Sequence, residues 1–541
     1  MRFFHFKSRS WVVVLCVAVF LVLFTNYSLW AAIFRIYDGA LLKNTVFLLS
    51  VFILLSTLVY LFLTLINFRY VLKPALVLVL IVSSIVAYFM DTYGVMIDRS
   101  MIQNALGTDT HEAMELLSVK TFVYLFFLGI VPSIVVLRTS VTHGSLVRQV
   151  TTNLVSVALS LVLIAVMLFP FYKDYSSLAR NNRHLRNLVN PVNYLHAVSA
   201  QLRSMSRRVI KVKPIDTAAK LVQVKREHHK HNLLVLVVGE TARAANFSLN
   251  GYKRKTNPLL ESLNVIYFNN VYSCGTATAV SLPCMFSKFT RDEYTDYKGK
   301  AYENLLDLLS HAGVKVLWRE NNTGCKGVCR RIAHQDMSQM KIKGICSRGE
   351  CLDAVLLYRL QQYLDTLDRD AVIVLHQNGS HGPTYYLRYP QQFGRFTPVC
   401  ATNQLQNCSR QKLVNVYDNT VLYTDYLLAQ IIRLLKKNTG RFSTAMLYLS
   451  DHGESLGENG LYLHGMPYMI APKEQKHVPF LAWFSDSFRA QHRLDLSCLR
   501  KTTSRRYEHD ALFHSVIGLM QVESKLYNPS LDVFSSCTRH L

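Results

Sequence analysis

The sequence predicts a chain of two classes: an N-terminal domain of five transmembrane helices over residues 1–172, and a C-terminal α/β domain with a mainly parallel sheet over residues 231–541. A bridging segment at 173–230 joins them. Three observations lead there. Apolar residues concentrate in five uncharged runs before about residue 172, short β-branched runs alternate with helical patterns after about residue 230, and ten of the eleven cysteines fall beyond residue 270.

The apolar runs cover residues 11–34, 45–66, 74–90, 121–137 and 152–172. Each is long enough for a hydrocarbon core of roughly 30 Å at about 1.5 Å per helical residue. The first is too long for the apolar region of a signal peptide and has no small-residue cleavage site, so it reads as a span. Basic residues mark the cytoplasmic loops. Arg2, Lys7 and Arg9, then Arg69 and Lys73, then Arg138 and Arg148 are therefore expected inside. The acidic segment 91–120 is expected outside, although the first outer loop, with Arg35 and Lys43, fits less well. Five spans with the N-terminus inside place everything after residue 172 on the outer side.

A net charge of +25 implies acidic partners. Nucleic acid is excluded by the outer location, leaving anionic lipid as the partner. The segment 180–226, in which Arg183, Arg186, Arg203, Arg207, Arg208, Lys211 and Lys213 interleave with Leu188, Val192, Leu195 and Val198, reads as an interfacial strap, with a solvated linker as the alternative.

The ten cysteines beyond residue 270 fit an oxidising compartment. Local pairing plus one long-range bridge is the simplest framework: Cys274–Cys284, Cys325–Cys329, Cys346–Cys351, Cys400–Cys408 and Cys498–Cys537. Sequence alone leaves the connectivity open. A cysteine zinc cluster would need repeated CxxC pairs, which these spacings lack.

Strands are predicted over 233–238, 265–271, 314–318, 371–375, 445–449 and 478–484, and helices over 302–309, 353–367, 413–437 and 509–520. In open α/β sheets ligands bind beyond the carboxyl ends of strands. The residues there are Glu240, Glu320, Asn321, Asn322, Lys326, His376, His381, Asp451, His452 and, a little later, His464. Glu240, Asp451 and His452 offer the oxygen and nitrogen ligands that zinc accepts. A nucleophile is sought among the hydroxyls of SCGTATAVSLPC. Thr278 leads, Thr276 and Ser281 are rivals, and helix capping is the alternative role for all three. His376 reads as a packed strand-end residue.

The motif DHGESLGENG resembles the metal-binding signature of the alkaline phosphatase and sulfatase superfamily. The set GETAR, SCGTATAVSLPCMFS, HGPTYYLRYP, FTPVC and DHGESLGENGLYLHG is similar to that of the lipid A phosphoethanolamine transferases, which include the mobile colistin-resistance enzymes. The resemblance covers essentially the whole chain. It implies an alkaline-phosphatase/sulfatase-like fold, Thr278 as nucleophile and phosphoethanolamine acceptor, and a zinc site of Glu240, Thr278, Asp451 and His452. Lys326, His381 and His464 would then contact the phosphoryl group or a second zinc, with Asn322 and Thr323 lining the pocket. In MIQNALGTDTHEAMELL, Asn104, Thr108 and Glu112 would contact the donor headgroup, with Asp109 and Glu115 as competing carboxylates and a surface helix as the alternative.

The implied protein is a monomeric, multi-pass enzyme of the bacterial inner membrane. It carries one tightly bound zinc, takes phosphatidylethanolamine as donor and lipid A of lipopolysaccharide as acceptor, and confers polymyxin resistance. Three rivals stand beside it: transfer to Kdo or heptose of the core, a sulfatase-like hydrolase, and a non-catalytic membrane sensor. The sulfatase C/S-x-P-x-R nucleophile motif is absent.

Overall fold

The computed structural model describes residues 7–37, 41–107, 114–205, 211–222, 230–347 and 350–538. The chain divides into two compact units, Met1–Ile102 with Leu117–Arg203, and Gln103–Leu116 with Ser204–Leu541.

The first unit is helical: α1 (Ser10–Phe24), α2 (Tyr27–Ile36), α3 (Leu41–Thr64), α4 (Leu72–Tyr93), α5 (Val119–Arg138) and α6 (Leu146–Leu168). The last four are each long and apolar enough to cross a membrane. The expected first span is broken. α1 and α2 meet at 59°, and only together do they make a fifth candidate. Asn26 lies at the break: its amide donates to the Leu21 carbonyl at 2.9 Å and to the Asn190 carbonyl at 2.8 Å. The Leu21 carbonyl also keeps its helical donor, the Thr25 N–H at 3.0 Å, and the carbonyl a continuing helix would have paired with the Asn26 N–H, that of Val22, instead accepts the Trp30 indole N–H at 2.9 Å. α5 contains a π-helical stretch, Leu125–Ile130, just before Pro132, which lacks the N–H of a regular ladder. The basic segment beyond α6 forms helices Tyr172–Asn181 and Val192–Met205. Its Arg207 and Arg208 lie outside the described residues.

The second unit is built on a seven-stranded sheet of β1 (His231–Gly239), β2 (Ile266–Phe268), β3 (Lys315–Glu320), β4 (Ala333–Asp336), β5 (Ala371–His376), β6 (Phe442–Ser450) and β7 (Phe480–Phe484). The order is β2-β7-β6-β1-β5-β3-β4. β7 pairs antiparallel with both neighbours and the remaining pairs are parallel. The central strands are continuous apolar runs because both faces are covered. Leu233 to Val238 and Val372 to Leu375 are completely buried. α8 (Arg410–Lys437), capped by Ser409 at the Lys412 N–H, buries one face including Val416, Leu428 and Ile432. The edge strand β4 escapes sequence reading because its four residues, AHQD, are all exposed and show no alternation. Predicted strand 265–271 is shorter, and its end, Val271–Tyr272, pairs instead with Tyr507–Glu508. Predicted helix 353–367 splits into a 3-10 turn at Asp353–Leu357 and a short helix at Leu360–Asp365.

All five expected cysteine pairs are disulfides, and Cys16 is free.

Candidate active site

Strand register assembles the site. Glu320 lies opposite His376, His376 opposite Val238, and Gly239 opposite Ser450. The residues leaving the parallel strands at one end therefore stand in a row, with Glu240 beside Asp451. Their tight turns need little space: a Cβ on Gly453 would overlap the Glu474 carbonyl, so only glycine fits after His452.

Glu240, Asp451 and His452 are all completely buried, and their ligand atoms lie within 4.8 Å of one another. His452 Nε2 is 3.4 Å from Glu240 Oε1 and 3.4 Å from Asp451 Oδ2. His452 Nδ1 lies 2.9 Å from the Gly453 carbonyl, which only an N–H can satisfy, so Nε2 presents a lone pair to the cluster. Burial pushes the imidazole down to about 4, so it stays neutral. Asp451 Oδ1 accepts the Thr241 and His452 backbone N–H groups, whereas its buried Oδ2 has no hydrogen-bond partner.

Thr278 opens α7 (Thr278–Met285), whose N-cap, Ala277, makes no side-chain bond. The Cys274–Cys284 bridge ties the preceding turn to this helix. Thr278 Oγ1 lies 3.3 and 3.1 Å from the two Glu240 oxygens and 3.3 Å from His452 Nε2. Its rivals are engaged elsewhere: Thr276 donates to the Met466 carbonyl and Ser281 accepts the Gly275 N–H at 2.8 Å. Two carboxylates, an imidazole lone pair and a hydroxyl thus converge with a single hydroxyl proton among them. Such a centre is short of positive charge, and this donor set fits a zinc ion.

The second set of sequence candidates sits on loops. Lys326, in the turn closed by Cys325–Cys329, donates through Nζ to the Thr323 carbonyl at 2.7 Å and to Thr323 Oγ1 at 2.8 Å. The Asn322 amide donates to Glu240 Oε2 at 2.8 Å and to the Gln377 carbonyl at 2.8 Å, so it orients a cluster carboxylate. The His452 and His464 rings are 4.5 Å apart, and those of His464 and His381 5.3 Å. Burial, then repulsion from His464 and Arg388, holds His381 well below the ordinary imidazole range. His376 is fully buried with its ring edge-on to Trp318 at 5.5 Å, and is packed as expected.

Asn104 falls in the helix Arg99–Gly107, while Thr108, Asp109 and Glu112 lie outside the described residues. Glu115 is buried and paired with Arg388 at 2.9 Å, and so is not a surface carboxylate. Sequence reading missed two supporting residues. Glu454 is fully buried, with Oε1 3.3 Å from His464 Nδ1. His509 accepts the Cys274 N–H at 3.2 Å and donates to the Ser450 carbonyl at 2.9 Å, linking the turn before Thr278 to the end of β6. The tract DHGES signals Glu454; nothing local signals His509.

A family model described as phosphoethanolamine transferase EptA/EptB matches residues 55–205, and a sulfatase model matches residues 232–522. Phosphoethanolamine transferase EptA of Escherichia coli K12 is 42% identical over 500 residues, 92% of this chain and 91% of that protein. Phosphatidylethanolamine transferase Mcr-1 of Escherichia coli is 41% identical over 485 residues, 87% of this chain and 89% of that one. The solved structure of lipooligosaccharide phosphoethanolamine transferase A from Neisseria meningitidis superposes with a TM-score of 0.96 at 36% identity, covering 99% of this chain and 100% of that one. Full-length likeness, a sulfatase-type sheet and the cluster at its strand ends together make this chain a member of the EptA/EptB phosphoethanolamine transferase family.

Proposed function

We propose that this transferase moves phosphoethanolamine from phosphatidylethanolamine to a phosphate of lipid A through a threonine-bound intermediate, and that it depends on zinc. The observation that carries the reading is the convergence of Thr278 Oγ1 with Glu240 and His452, next to Asp451, in a buried, electron-rich centre.

Glu240, Asp451, His452 and Thr278 would hold the zinc, which when bound would supply positive charge to lower the hydroxyl's pKa and offset charge developing at phosphorus. The Thr278 hydroxyl proton passes to the Glu240 carboxylate, 3.1 Å away, and from there to the departing diacylglycerol oxygen, while the Thr278 oxygen attacks the donor phosphorus. The bond to diacylglycerol breaks, and the departing oxygen takes up that proton. A lipid A phosphate oxygen then attacks the phosphoethanolamine-threonine, and the Thr278 oxygen leaves and is reprotonated. Asn322 keeps Glu240 turned toward the nucleophile. Lys326, His381 and His464 face the transferred group and stabilise its oxygens, or hold a second zinc. Asn104, Thr108 and Glu112 hold the ethanolamine ammonium.

The enzyme acts as a monomer in the inner membrane, N-terminus cytoplasmic, with residues 231–541 as the periplasmic catalytic domain and the basic segment 173–230 on the outer leaflet. The transmembrane domain, residues 1–172, keeps it where both substrates, being lipids, reside. Adding an amine to a lipid A phosphate weakens the attraction for cationic peptides, hence polymyxin resistance. Mass spectrometry of lipopolysaccharide from cells with and without the gene tests this. Phosphoethanolamine on lipid A phosphate is expected with the wild type and none with Thr278→Ala; modification found only on core sugars, or none at all, contradicts it.

A further inference from the structure

The segment Gln103–Leu116, although it runs between two apolar helices in the sequence, belongs to the compact unit of the catalytic sheet. Near its end Glu115 is held twice. Its carboxylate meets Arg388 Nη2 at 2.9 Å and its carbonyl accepts the Asn403 amide at 2.6 Å. At the beginning, the Gln103 amide reaches the carbonyl of Ala279, the residue after Thr278, at 3.5 Å.

Arg388 donates through all three of its nitrogens. Nε donates to the His381 carbonyl at 3.0 Å, Nη1 to Glu350 at 2.7 Å and Nη2 also to Thr384 Oγ1 at 3.2 Å. Both Arg388 and Glu115 are buried. A buried ion pair is a poor source of net stability compared with apolar packing, but its fixed fork geometry specifies one docking position. Here one planar group binds the segment through Glu115 and the phosphoryl-facing loop through His381.

We infer that Arg388 is a positioning residue: with Glu115 and Asn403 it latches the segment that reads the donor headgroup onto the catalytic domain, in register with His381. The inference rests on the proposed role of Asn104, Thr108 and Glu112 in that segment. It assigns Glu115 to the latch and leaves the ammonium to the other residues.

Full-length enzyme in mixed micelles of phosphatidylethanolamine with lipid A acceptor provides the test. Glu115→Gln keeps the shape and loses the charge, and should raise KM for the donor by roughly 10-fold or more, as loss of a charge-assisted bond implies, with kcat within about twofold. Asn403→Ala, which strands no buried charge, should raise the same KM by roughly threefold. An unchanged donor KM in both variants overturns the latch, as does a fall in kcat that tracks a fall in melting temperature, since that is a merely structural role. Asn104→Ala separates the two ideas: if it leaves KM alone while Glu115→Gln raises it, the assignment of Asn104 to the headgroup fails and the latch stands.

Discussion

Two regions flank Thr278, and they are built differently. On one side Glu240, Asp451 and His452 are completely buried at the ends of the adjacent parallel strands β1 and β6, and the register alone brings them together. On the other side Lys326, His381 and His464 come from loops. A disulfide turn, the Arg388 bond to a carbonyl and Glu454 hold them in place. The difference teaches a division of labour. On the proposed mechanism the rigid sheet would fix the groups that activate the nucleophile, itself at the start of α7, while the loops would supply adjustable charge where lipid headgroups enter and leave.

If that division holds, substitutions on the sheet side abolish turnover and those on the loop side attenuate it. Thr278→Ala should cost at least about 10⁴-fold in transfer, because a nucleophile and its activating group act as a unit, while circular dichroism and melting temperature stay as in the wild type. Lys326→Ala should lower kcat by about 10² to 10³-fold in a micellar transfer assay with metal content unchanged. If the loss matched that of Thr278→Ala, the two regions would not be distinct. Asn322→Ala removes the bond to Glu240 across the boundary between them, and should weaken zinc binding by about 10 to 100-fold in a competition titration.

The smallest effect concerns pH. Burial pushes His509 down from an ordinary 6.5 to about 4. Between those values the unfolded chain binds a proton that the folded chain refuses, so stability falls as pH drops from 6.5 toward 4, by at most roughly 3 kcal/mol from this group. His509→Asn should lower stability at pH 7 through the lost bonds to Cys274 and Ser450, yet flatten the acid slope of the melting temperature. An unchanged slope would show that His509 does not carry it.

Much of the sheet side was legible in the sequence, because unbroken runs such as LLVLVV and AVIVL can only be buried strands and the residues after them are charged or metal-binding types. The residues alone put Thr278 ahead of Thr276 and Ser281 without separating them, and the resemblance made the choice; in the structure each hydroxyl has a different partner. Long-range polar pairs left no trace. Glu115 read as a carboxylate competing with Glu112 for the headgroup, because its partner is 273 positions away. His509 looked like the start of a helix, and in three dimensions it bridges Cys274 and Ser450. The break at Asn26 was hidden for the same reason: the run is apolar enough for one span, and the partners that accompany the break, the Asn190 carbonyl on the Asn26 amide and the Trp30 indole on the Val22 carbonyl, leave no mark in its hydropathy.

The covalent intermediate is the centre of the account. Incubating purified enzyme with phosphatidylethanolamine and no acceptor, then mapping peptides by mass spectrometry, tests it most directly. A phosphoethanolamine adduct on Thr278, absent after Thr278→Ala and discharged when lipid A is added, is the predicted result. An adduct on Thr276 or Ser281, or transfer proceeding with no adduct at all, would contradict it.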